Sequence, residues 1–139
     1  VSIRGGYVLW IGVAIAVLSG CGLAGGRPTD VEQVAATVER WRAAMVAGDT
    51  DRLMDTYSEE FGCFDAPSKE AMKSYMRGLL EQGVFQDIEV FVDTAESTRE
   101  GEVIRVFPVE LLLANGYLTV FRLTLRREDG GWLIVDQEW

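Results

Sequence analysis

EVIRVFPVELLLANGYLTVFRLTLRREDGGWLIVDQEW, residues 102–139, decides the fold. Turn signals cut it into three strand-length runs, and the middle one sets its residues on two alternating faces, the period of a half-buried strand. Glu102 to Leu113 is one strand, in which Pro108 demands a bulge or an edge position because it has no N–H to give to a ladder. Asn115-Gly116 is a tight hairpin signal. Tyr117, Thr119, Phe121, Leu123 and Leu125 form one face of the next strand, and Arg122, Thr124 and Arg126 the other. Asp129-Gly130-Gly131 makes a second hairpin, and Trp132 to Trp139 is the last strand. Upstream, Ile88, Val90 and Val92 alternate with Asp87, Glu89 and Asp93, a strand that opens near Gln86, while the polar run Glu96 to Gly101 is expected to turn. The expectation is a meander of four antiparallel strands.

Ahead of the strands the period changes to that of a helix. Thr29-Asp30-Val31-Glu32 fits a capping box, with the Glu three residues after the capping Thr. Val31, Val34, Ala35, Val38, Trp41 and Met45 then fall on one stripe, and Gly48 ends the helix. Asp49 can cap a second, shorter helix carrying Leu53, Met54 and Tyr57. The acids Asp49, Asp51 and Asp55 do not make a calcium loop, because Leu53 occupies the fifth position and no Gly the sixth. Phe61 to Phe64 reads as a short strand, Asp65-Ala66-Pro67 as a turn, and Ser68 as the cap of a third helix with Met72, Tyr75, Met76, Leu79 and Leu80 on one face, closed by Gly83. Helices on one side of a sheet make an α+β domain: three N-terminal helices on four main strands plus a short strand, over residues 29–139.

Residues 1–20 have the layout of a secretory signal. Arg4 is the only charge before Cys21, and Tyr7 to Leu18 carries none. Twelve residues rise only about 18 Å as a helix, short of the roughly 30 Å of a bilayer core. The ending Leu18-Ser19-Gly20-Cys21 resembles the bacterial lipobox. The resemblance implies cleavage before Cys21, a lipid on its thiol, and stable membrane anchoring through several acyl chains. The other readings are an ordinary signal peptide with a chance cysteine and an uncleaved anchor. Residues 21–28 then form a Gly-rich tether. In a Gram-negative organism an Asp after the lipidated cysteine resembles an inner-membrane retention signal. Gly22 does not, which favours the periplasmic face of the outer membrane.

The chain carries 13 basic and 22 acidic residues and a net charge of −9, which repels nucleic acid and excludes it as a partner. Lys69, Lys73 and Arg77, four residues apart, read as a solvated helix face. Cys21 and Cys63 are the two cysteines; with Cys21 lipidated, Cys63 has no partner, and between Phe61 and Phe64 it reads as a buried thiol. Histidine is absent, so Ser-His-Asp and Cys-His catalysis and the usual Cys/His zinc sites are excluded within this chain. No metal or cofactor is expected.

Two stretches carry a family resemblance: Ala47-Gly48-Asp49-Thr50-Asp51-Arg52-Leu53 through Tyr57-Ser58-Glu59-Glu60-Phe61, and Asp129-Gly130-Gly131-Trp132-Leu133-Ile134-Val135. With the order of elements, they resemble the nuclear transport factor 2-like superfamily, close to its SnoaL-like and ketosteroid isomerase-like members. The resemblance implies a cystatin-like cone, a curved sheet wrapped around helices with an apolar pocket at its open end, and often a homodimer through the sheet. Trp41 stands where the family's steroid isomerases use a Tyr, and Asp65 lies near their second catalytic position but just before a Pro turn. The pocket is expected to be lined by Trp41, Tyr57, Tyr117, Trp132 and Asp136. Asp136 shares parity with Trp132 and Ile134; if those two face the cone, so does Asp136, and the opposite register puts Leu133, Val135 and Trp139 inside. Alternation leaves both open. The expectation is a membrane-anchored envelope domain that binds a small apolar ligand or an envelope protein without catalysis. The alternative is an isomerase, hydratase or hydrolase using Asp136 or Asp65 as general acid or base.

Overall fold

The computed structural model describes residues 27–139; the signal segment, Cys21 and the tether up to residue 26 lie outside them. The capping box forms as expected. Thr29 Oγ1 accepts from the Glu32 amide at 3.2 Å, and Glu32 Oε2 accepts from the Thr29 amide at 3.0 Å. Helix α1 runs Asp30–Ala47 and ends at Gly48, whose φ of 65° is the left-handed conformation that glycine adopts without penalty. Its buried stripe is Val34, Thr37, Val38, Trp41, Ala44 and Met45, while Val31 and Ala35, expected on that stripe, are exposed. Helix α2 is Thr50–Met54, capped by Asp49, and α3 is Lys69–Glu81, capped by Ser68. Met72 and Met76 bury one side of α3, and Tyr75 stays exposed. Among the described residues no helix is long and apolar enough to cross a membrane.

The strands are β1 Glu89–Phe91, β2 Glu96–Glu100, β3 Val103–Leu112, β4 Leu118–Glu128 and β5 Gly131–Glu138, all in one antiparallel sheet. The α+β class and the two hairpins at Asn115-Gly116 and Asp129-Gly130 stand as read from the sequence. Two details differ. Glu96–Glu100 is a strand, not a turn: it pairs with Val103–Phe107 of β3 and is exposed along its whole length. Strands β1 and β2 lie end to end along the same side of β3, so the sheet is not a simple meander. The β3–β4 register shifts between Val106 and Val109, around Pro108, as the missing N–H requires. Phe61–Phe64 is not a strand. The short segment that joins the sheet is instead at Tyr57, in an isolated parallel bridge to Ile134.

The concave face of the sheet is filled. Ile104, Val106, Val109 and Leu111 of β3, Phe121, Leu123 and Leu125 of β4, and Trp132 and Ile134 of β5 are all buried against the helices. Trp41 meets Phe121 edge-on with ring centroids 5.4 Å apart, and Tyr57 meets Phe61 at 4.8 Å. Burying a side chain of this size contributes roughly 1.5–3 kcal/mol. Thr37 ties α1 to β5 by donating from Oγ1 to the Trp132 carbonyl at 2.8 Å. At the same end Asp30 accepts from Arg99 at 2.7 Å and Arg127 at 3.4 Å, tying the first turn of α1 to β2 and β4.

Candidate functional site

The site is built on an irregularity that alternation cannot reveal. Along β4 and β5, Leu125 pairs with Ile134 and Thr124 with Asp136, so Val135 is an extra residue in β5. The bulge resets the parity of the strand. Trp132 and Ile134 face the core, as one of the two registers supposed, but the next buried residue is Gln137 and not Asp136. Asp136 is half-buried, and its Oδ1 accepts from the Gln137 amide at 2.9 Å.

The bulged strand is laced to the segment after α2. The Ser58 amide donates to the Ile134 carbonyl at 2.8 Å, the Ile134 amide to Thr56 at 2.9 Å, and the Gly62 amide to Val135 at 3.2 Å. The chain then turns through Phe64 and Asp65, closed by the Cys63 amide on the Ala66 carbonyl at 2.9 Å. Gly62 suits this closure: a Cβ there would stand 3.0 Å from the Pro67 carbonyl oxygen. The lacing places the turn beside the end of β5.

Between them lies an open depression of about 520 Å³, lined by Phe64, Asp65, Asp136, Gln137, Glu138 and Trp139. The two carboxylates singled out from the sequence, Asp65 and Asp136, therefore share one hollow. Phe64 is wholly exposed (101%) and Trp139 is 55% exposed, with its ring 5.2 Å from Phe121. Glu138 is paired to Arg122 at 2.9 Å.

The other expected lining residues lie elsewhere. Trp41, Tyr57 and Trp132 are each no more than 2% exposed and belong to the core, while Tyr117 sits exposed at the β3–β4 hairpin. Two of them nonetheless reach the hollow through a buried relay. Trp41 Nε1 donates to Tyr57 Oη at 3.0 Å, and Tyr57 Oη donates to Gln137 Oε1 at 3.0 Å. Burial pushes the Tyr57 phenol well above its ordinary value, against the opposing Trp41 hydrogen bond, so it is a neutral donor and not an acid-base group. Sequence reasoning missed Gln137; a period-two count places it on the face opposite Trp132 and Ile134, and only the bulge reverses that.

A second cleft, of about 240 Å³, lies between α1 and α2, with Arg40 and Arg52 on its rim; Arg52 is bound to Asp49 at 3.3 Å. Cys63 is half-buried, with its thiol free. Among the described residues no group of acids and Cys side chains is arranged to hold a metal ion.

Residues 34–138 match the profile of the SnoaL-like domain. None of the curated proteins matches the chain. Among solved structures, the fold is similar to that of Bd1075 from Bdellovibrio bacteriovorus, with a TM-score of 0.64 and 16% identity over 76% of this chain and 39% of that one. It is also similar to an NTF2-like protein with a cystatin-like fold from Novosphingobium aromaticivorans, with a TM-score of 0.61 and 20% identity over 78% of this chain and 79% of the other. A dehydratase candidate of the NTF2-like family from Streptomyces avermitilis has a TM-score of 0.61 and 19% identity over 78% of this chain and 92% of its own. At these identities the likeness is one of fold.

Proposed function

The chain belongs to the SnoaL-like domain family, and from that premise we propose that it is a non-catalytic binding domain whose small, partly apolar ligand sits in the hollow between the Phe64–Asp65 turn and the end of β5. One observation carries this reading. The interior of the cone is occupied by Trp41, Tyr57 and Phe121, so the candidate acids stand at an open rim and not in an enclosed chamber. Proton transfer from carbon gains most where water is shut out and the reacting atoms are held. An open hollow with aromatic walls offers contact area instead. The test is native mass spectrometry of the chain purified from its own host under conditions that keep ligands bound. A reproducible extra mass, lost on Trp139→Ala, supports the reading; an extra mass that survives both Trp139→Ala and Phe64→Ala places the ligand elsewhere and overturns it.

The catalytic alternative, an isomerase, hydratase or hydrolase working through Asp65 or Asp136, is favoured by the meeting of both acids in one hollow and by the fold shared with the dehydratase candidate. Turnover of the ligand found by mass spectrometry, abolished by Asp136→Asn with binding retained, would establish it in place of the binding reading.

The same proposal places the domain at the bacterial envelope. Leu18-Ser19-Gly20-Cys21 supports a lipid on Cys21, with Gly22 favouring the outer membrane in a Gram-negative host. Metabolic labelling with a tagged palmitate should mark the wild type and not Cys21→Ser. Association of two copies through the outer sheet face is supported by the exposed Phe91, Phe107, Leu118 and Val120. Sedimentation should give a dimer that Val120→Glu turns into a monomer.

A further inference from the structure

We propose that the hollow at the end of β5 takes an organic cation, an ammonium or guanidinium on an apolar body, with a hydrogen-bond acceptor close to the charge. This rests on the reading of the hollow as a ligand site and adds the chemistry of the ligand. Three independent features of the lining converge on it.

The walls come first. Phe64, on the turn after α2, and Trp139, after β5, present exposed aromatic rings from two different elements to one space. Trp139 is steadied by its contact with Phe121. The negative face of an aromatic ring attracts a cation, and Trp does so best.

Charge comes second. Of the three acids in the lining, Glu138 is neutralised by Arg122. Among the described residues Asp65 and Asp136 have no basic partner, although Arg42, Arg52, Arg99, Arg105, Arg122, Arg126 and Arg127 are all ion-paired. Two unmatched carboxylates beside two rings repel a carboxylate or phosphate and attract an amine. A wholly apolar ligand would strip water from both and return nothing.

The third feature is Gln137, a residue that lines the hollow although it is only 5% exposed. The direction of the relay behind it is fixed from the far end. An indole N–H can only donate, so Tyr57 accepts from Trp41 and spends its own proton on Gln137 Oε1. That leaves the Gln137 side-chain nitrogen outside the relay, and among the described residues it has no acceptor. A donor with no protein acceptor, on a residue that lines an acidic, aromatic hollow, favours a ligand that brings an acceptor. The volume, about 520 Å³, suits a small molecule of this kind.

The test compares (2-phenoxyethyl)trimethylammonium with 3,3-dimethylbutyl phenyl ether, which has the same shape without the charge. Both are titrated into the full chain in mild detergent, with binding read by calorimetry and located by the NMR signals of the Trp139 indole and the Gln137 side-chain amide. The cation should bind at least about ten-fold more tightly than the ether. That preference should shrink in Asp65→Asn/Asp136→Asn, a pair that keeps the rings, the shape and the acceptor for the Gln137 backbone amide. Raising ionic strength roughly ten-fold should weaken the cation alone, a reading on the wild type that does not depend on the variant folding. Equal binding of the two at the same signals would overturn the cation and leave the hollow as an apolar site. Movement of neither signal with either compound would overturn the site itself.

Discussion

Replacing Tyr57 by Phe removes one oxygen from the middle of the Trp41–Tyr57–Gln137 relay and leaves the ring on Phe61 in place. Trp41 is 1% exposed, so water cannot reach its indole N–H, and stranding that donor costs about 1–3 kcal/mol. Gln137 borders the hollow and can turn its carbonyl toward solvent, so its loss is nearer the net worth of one hydrogen bond, about 1 kcal/mol. Together the substitution should destabilise the domain by about 2–4 kcal/mol. In a domain of this size that lowers Tm by roughly 8–16 °C, at about 4 °C per kcal/mol. The assay is urea unfolding followed by tryptophan fluorescence, with the slope unchanged. Trp41→Phe removes the donor that Tyr57→Phe strands. The double variant should therefore be more stable than the sum of the singles by about 1–2 kcal/mol. A Tyr57→Phe loss below about 0.5 kcal/mol, with the two substitutions additive, would refute the relay as a buried, mutually satisfied unit.

Gly62→Ala pushes a Cβ against the Pro67 carbonyl at 3.0 Å, so the turn carrying Phe64 and Asp65 must move; ligand contact at the hollow should weaken, checked by titration, with the urea midpoint falling by less than Tyr57→Phe. Gly48→Ala meets only the end of Leu80 at 3.4 Å, so its cost is that of a left-handed alanine, about 1–2 kcal/mol by urea unfolding. Acid sensitivity runs through Glu128, whose carboxyl is held below its ordinary 4.5 by the Ser58 hydroxyl first and Arg126 second. A lowered value gives stability that is whole above that ordinary value and is lost as pH falls through the lowered one. Ser58→Ala should thus raise the midpoint of acid unfolding followed by circular dichroism. Tyr57 gives the alkaline counterpart. Its value is raised above 10.0 by burial, so its contribution is whole below pH 10 and is lost as pH rises further; Tyr57→Phe should remove that alkaline limb.

The elements legible in the sequence are those whose causes lie within a few residues. The Thr29–Glu32 capping box, the Gly48 stop, the Asp49 and Ser68 caps and the Asn115-Gly116 and Asp129-Gly130 hairpins are local geometry, and each stands where its residues put it. The α+β class follows from the change of period between α3 and β1, which needs no partner to be seen. Strand β2 carried no such signal. Glu96–Glu100 buries nothing, and is a strand because the backbone edge of β3 needs hydrogen bonds that any sequence able to extend can supply. Both candidate acids were named from the sequence, but nothing local says that they meet; the ladder from Thr56 to Gly62 along β5 brings the Asp65 turn to Asp136. The tertiary structure alone decided which residue of β5 turns inward. One extra residue at Val135 inverts the parity of all that follows it, because side chains alternate strictly between bulges, and so gives the buried place to Gln137 and the rim to Asp136.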